Sequence, residues 1–137
     1  MARRFSPRRP SQRILGVDYG ERRIGLAVSD PMGRIALPYR IVSSLRDVIS
    51  AAAEVGAAAV VVGLPLTLGR RESASSRAVR AFAARLGAAV QLPIAFEDET
   101  FTTKLAARSA PARRVDAAAA ALILQSYLDR MDSKFKM

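Results

Sequence analysis

Residues 13–30, RILGVDYGERRIGLAVSD, decide the fold. The apolar run Ile14–Val17 closes on Asp18-Tyr19-Gly20, an Asp-x-Gly turn, and apolar residues resume at Ile24 and continue to Val28. Two short strands with so tight a connection must run antiparallel. Pro31 and Gly33 make the next turn, and RIALPYRIV (34–42) reads as a third strand of the same meander.

The pattern then changes. In SLRDVISAAAEVG (44–56), Leu45, Val48, Ile49 and Ala52 recur at helical spacing, with Gly56 as the stop. AAAVVVGLP (57–65) is a continuous run of the kind that suits a strand buried on both faces, as in parallel sheets. ESASSRAVRAFAARLG (72–87) is helical, with Val79, Phe82 and Leu86 on one side and Gly87 expected to end it. VQLPIAFEDE (90–99) is the fifth strand. After a short helical stretch, VDAAAAALILQSYLDR (115–130) forms the last helix, with Asp116 near its start. The order βββαβαβαα predicts an α/β protein. Its mixed five-stranded sheet has strand order 3-2-1-4-5 and helices on both faces.

At 137 residues a single domain is expected. The Pro-, Ser- and Arg-rich residues 1–12 read as a flexible basic arm, residues 13–131 as the folded domain and 132–137 as a tail. Half the residues are hydrophobic, which supports a real core, and aromatics are few, so Ala, Val, Leu and Ile must fill it. Lys and Arg number 22 against 12 Asp and Glu. The body remains basic when Arg3, Arg4, Arg8 and Arg9 are set aside, which suits a polyanionic partner, whether DNA, RNA or an anionic membrane surface, and charge and motif context together point to nucleic acid. Cysteine and histidine are absent, which excludes disulfides, zinc fingers and imidazole catalysis. Apolar runs fall short of a membrane span and no signal core follows the N-terminus, so the expected location is the cytoplasm.

In this basic chain, acids gather where elements end. Asp18 follows strand one, FEDETFTT (96–103) places Glu97, Asp98 and Glu99 at the end of strand five, and Asp116 starts the last helix. In open α/β sheets the carboxyl ends of neighbouring strands form the ligand crevice. Converging carboxylates without a cation would raise one another's pKa, whereas oxygen-rich clusters suit Mg²⁺ or Mn²⁺. Paired ions of this kind cut phosphodiesters without histidine. Taken singly, Asp98 could cap a helix and Asp116 could be an ordinary helix N-terminal residue. The pairs Arg22/Arg23, Arg70/Arg71 and Arg113/Arg114 fall around the same edge, as a phosphate-binding rim would.

Four segments together, ILGVDYGERRIGLAVSD, VVVGLPLTLGRRESASSRAVRAFAARL, EDETFTT and VDAAAAALILQSYLD, resemble the YqgF family. This family is also called RuvX, and it groups pre-16S rRNA nucleases related to Holliday junction resolvases. The resemblance covers roughly residues 13–130. It implies an RNase H-like fold and a metal-dependent nuclease with Asp18, Glu99 and Asp116 as the catalytic acids and Mg²⁺ or Mn²⁺ as cofactor. Asp18 would bridge the metals, Glu99 and Asp116 would hold one each, and Thr102 and Thr103 would position backbone or phosphate. Asp98 would support Glu99 or join it at the metal, and Glu97 is expected to point away along the alternating strand. The family's Arg after the Asp-Glu pair is Thr100 here, the segment before Asp116 is short, and Ala119 and Ala120 supply no fourth acid.

The leading expectation is an endonuclease that processes the 5′ end of 16S rRNA precursor, as monomer or homodimer. Resolution of branched DNA is the alternative within the same chemistry. A non-catalytic RNA-binding assembly factor and a nucleotide-dependent phosphotransferase stand further off; the latter would need a second domain to clamp its nucleotide.

Overall fold

The computed structural model describes residues 12–67, 69, 71–99 and 116–135. Five strands form one sheet in the order β3-β2-β1-β4-β5. They are β1 (Ile14–Tyr19), β2 (Ile24–Ser29), β3 (Ala36–Val42), β4 (Ala59–Leu64) and β5 (Ile94–Asp98). β1 pairs antiparallel with β2 and β2 with β3, while β1–β4 and β4–β5 are parallel. The meander and the parallel crossovers are those the sequence implies, and β1 is central.

Helices α1 (Leu45–Val55) and α2 (Ala74–Val90) cover one face. Ser44 caps α1 through the Asp47 N–H, and Gly56 ends it in the left-handed conformation at φ 66°. Ser73 and Ser76 form a reciprocal capping box at the start of α2. The core on this face is apolar: Leu15, Val17, Leu26, Val60, Val62, Val48, Phe82 and Leu86 are buried.

Helix α3 (Ala117–Phe135) covers the other face, over a smaller apolar cluster of Ala27, Val61, Ala120, Ile123, Leu124 and Leu128. The short helical stretch expected before it lies outside the described residues.

Several boundaries differ from expectation: β3, β4 and α2 each start two residues later, α3 runs on to Phe135 through residues expected as a tail, and two further shifts have a visible cause. Gly87 does not end α2, which runs three residues further, and Gln91 takes the left-handed cap at φ 55°. Gly87 is where the helix crosses β5, because a Cβ there would come within 3.1 Å of Ile94. Strand β5 accordingly starts at Ile94 rather than Val90, since 91–93 are spent leaving the helix.

Candidate active site at the carboxyl edge of the sheet

Asp18 lies within β1, one residue from its end, and is buried to 1% exposure. Successive strand residues alternate faces, so Leu15 and Val17 enter the core under α1 and α2 while Gly16 and Asp18 face α3. The sheet register then surrounds Asp18 with glycine. On β2 its partner is Gly25. On β4, Val62 pairs with Val17, so Gly63 follows Val62 as Asp18 follows Val17.

Each glycine makes room for another of the acids. A Cβ on Gly25 would run into the Asp116 backbone, its carbonyl carbon only 2.6 Å away. A Cβ on Gly63 would collide with Glu99 Oε1 and with Ile123 of α3, whose Cδ1 would be 2.6 Å off. The side chain of Glu99 is therefore folded back over β4, buried to 2%, and its backbone N–H donates to Leu64 O at 3.2 Å. Asp116 sits across β2 as the cap of α3, with Oδ1 accepting from the Ala119 N–H at 2.8 Å. The two readings of Asp116 are thus compatible: one oxygen caps the helix, and the residue still lies at the acid edge.

The three acids share one edge and one face. Among the described residues, however, no group of three or more acidic side chains is gathered closely enough to hold a metal ion. The donor set fits Mg²⁺ or Mn²⁺ in chemistry, because it is all carboxylate oxygen, and the gaps over the two glycines are filled by the Asp116 backbone and by the Glu99 side chain with Ile123.

Asp98 is half-buried at the end of β5. Glu97 departs from expectation. It pairs with Gly63 and faces α3 as Glu99 does, two residues on. It is buried to 6%, with Oε2 accepting from Ser126 Oγ at 2.8 Å and Oε1 held by Arg130. Residues two apart in a strand share a face, so the period of the strand, read strictly, already placed Glu97 beside Glu99.

Of the predicted rim, Arg22 and Arg23 are exposed at the bend after β1. Arg71 is exposed after β4, in a loop closed by Arg71 N–H donating to Thr67 Oγ1 and Thr67 N–H donating to Arg71 O, both at 3.1 Å. Thr100, Thr102, Thr103, Arg70, Arg113 and Arg114 lie outside the described residues. Arg80 is engaged elsewhere. It forms a two-pronged pair with Glu72 at 2.9 and 3.0 Å and stacks over Phe96. That guanidinium, with the Ser76 hydroxyl, holds Glu72 down at about 2. No helix among the described residues is long and apolar enough to cross a membrane.

Comparison with known proteins places this arrangement. The family model described as "RuvX: Holliday junction resolvase" matches residues 12–130. A Chloroflexus aggregans protein named "Putative pre-16S rRNA nuclease" is 36% identical, over 90% of this chain and 98% of its own length. One of the same name from an Anaeromyxobacter species is 43% identical, over 85% and 96%. Among solved structures, "T. thermophilus RuvC in complex with Holliday junction substrate" superposes with a TM-score of 0.56 at 15% identity, covering 88% of this chain and 96% of that one. RuvC has the RNase H-like fold, which this chain shares. With the family model spanning nearly the whole folded region and relatives this similar along almost their full length, the chain belongs to the RuvX family.

Proposed function

We propose that the protein is a metal-dependent phosphodiester endonuclease that processes the 5′ end of 16S rRNA precursor in the bacterial cytoplasm. The observation that carries this reading is Asp18, buried at the end of the central strand between two glycines whose missing side chains admit Glu99 and Asp116. Carboxylates set along one edge repel one another when all are charged, and a divalent cation is the compensation that also does chemistry. Asp18, Glu99 and Asp116, with Asp98 as a further candidate, would hold Mg²⁺ or Mn²⁺, which supplies Lewis acidity and an activated nucleophile for an in-line displacement.

The protein's own residues do the rest. Burial fixes Asp18 and Glu99 before substrate arrives. The bond from the Ala119 N–H fixes the orientation of the Asp116 carboxylate. Exposed Arg22, Arg23 and Arg71 offer guanidinium groups to phosphates on either side of the crevice. Arg70, Arg113, Arg114, Thr102 and Thr103 complete the proposed contacts. The RNA substrate is favoured because relatives with up to 43% identity carry the rRNA nuclease name.

Resolution of four-way DNA junctions is the second reading, favoured by the description of the matching family model. It requires a symmetric dimer, because two strands must be cut. The test is cleavage of labelled rRNA precursor and of a four-way junction, side by side, with Mg²⁺, Mn²⁺ or EDTA. Asp18→Asn is expected to lower metal-dependent cleavage at least about a thousandfold while retaining nucleic-acid binding. Equal cleavage by variant and parent would refute the site assignment, and a junction-only activity in a dimer would select the second reading.

A further inference from the structure

Helix α3 is laid diagonally across the sheet. Asp116 lies over Gly25 of β2, Ala120 and Leu124 over Gly16 of β1, and Ile123 over Gly63 of β4. Ser126 and Arg130 reach Glu97 of β5. Contacts on glycine are close but non-directional, and by themselves leave the helix free to slide. Direction comes from two polar anchors at opposite sides. Toward β3, Gln125 Oε1 accepts from the Ala36 N–H at 2.8 Å, and its Nε2 donates to Arg34 O at 3.0 Å. Toward β5, Glu97 is gripped by Ser126 and Arg130, one turn apart on the helix. Gln125 and Ser126 are neighbours, so the anchors diverge by about 100° around the axis.

Glu97 is buried but the Arg130 side chain is 50% exposed, and an ion pair open to solvent on one side contributes little to stability. What a paired carboxylate does well is fix one arrangement against its near alternatives. From Ser126 back to Asp116 is about 15 Å of helix, short and stiff enough to carry any displacement at the clamp directly to the acid. We propose that Glu97, through Ser126 and Arg130, is a positioning residue that sets where α3 lies on the sheet and so where Asp116 stands relative to Asp18. This role rests on the metal-site reading above.

The test reads Mn²⁺ binding to the full chain by titration calorimetry without nucleic acid, alongside thermal melting. Glu97→Gln keeps the size of the side chain and an acceptor for Ser126 but loosens Arg130. It is expected to weaken Mn²⁺ binding about tenfold, as losses behind a metal ligand commonly do. Ser126→Ala changes no charge and removes one bond, and should weaken binding about threefold. Arg130→Lys keeps the cation and should stay close to the parent.

Val48→Ala, on the buried side of α1 and on the opposite face of the sheet from the site, should lower the melting temperature and leave Mn²⁺ affinity unchanged. Parental affinity in Glu97→Gln would overturn the role. Weakening in Glu97→Gln with none in Ser126→Ala would assign the effect to charge and overturn positioning. Equal weakening in Val48→Ala would reduce it to general stability. Failure of the underlying reading looks different: Asp18→Asn would then bind Mn²⁺ as tightly as the parent.

Discussion

The two faces of one strand differ more than any two elements of this molecule. Toward α1 and α2, β1 presents Leu15 and Val17; toward α3 it presents Gly16 and Asp18. The same division runs across the sheet, with Leu26, Val60 and Val62 on the first face and Gly25, Ala27 and Gly63 on the second. One face is filled with branched side chains and carries much of the apolar burial. The other is hollowed so that a helix and two acids can come close to a third. On the proposed reading, stability and chemistry fall to alternate residues of the same backbone.

Substitutions on each face should separate these roles. Leu15→Ala empties a fully buried site, and an unfolding titration should show a loss of about 3 kcal/mol. Cleavage per folded molecule should persist. Gly63→Ala overfills the other face and should cost about 1–3 kcal/mol, yet abolish most cleavage, because the added methyl displaces Glu99. If Gly63→Ala cuts normally, the glycines serve only helix packing, and the division of labour between the faces fails.

The smallest effect concerns acid sensitivity away from both faces. Asp30 accepts from the Ile35, Arg34 and Met32 N–H groups, and the Ile35 bond leads in holding its pKa below the ordinary 3.8. Glu72 is lowered from 4.5 to about 2, by Arg80 first. Both pKa values are lower folded than unfolded, so their stabilisation is full above the unfolded values and fades as pH falls through the folded ones. Both groups are solvent-facing, so the contribution is modest. Melting temperatures measured downward from pH 5 should fall less steeply in an Asp30→Ala, Glu72→Ala double variant than in the parent.

The order of the strands could be read from turn lengths and from the shift between alternating and continuous apolar runs, because those patterns are local. So could the edge of the sheet near which Asp18 and Glu99 lie, which follows from strand direction. The purpose of Gly87 could not: as a helix stop and as a crossing point it looks the same in one dimension, and only Ile94, brought up by β5, decides between them. The face of Glu97 could be read from the strand period, but its partners could not. An acid at a strand end reads as solvated until Ser126 and Arg130, some thirty residues away, are seen to cover it. Gly25 and Gly63 carry no local signal of their role, since the backbone and side chain that fill their missing volume come from distant parts of the chain.

The path of α3 across the sheet has a consequence in time as well as in space. Chains are made from the N-terminus, and domains assemble as their segments emerge. All five strands precede α3, so a growing chain can pair its sheet and cover the Leu15 face while the Gly16 face is still bare. During that interval Glu97 lacks its guanidinium and Asp18 lacks its neighbour on the far side. The contacts that complete this face span nearly the whole chain, the slow kind to form. With Asp116 in the role proposed above, cutting at the acid edge would wait until the helix has closed over it, and a ribosome still translating this protein would carry no active nuclease.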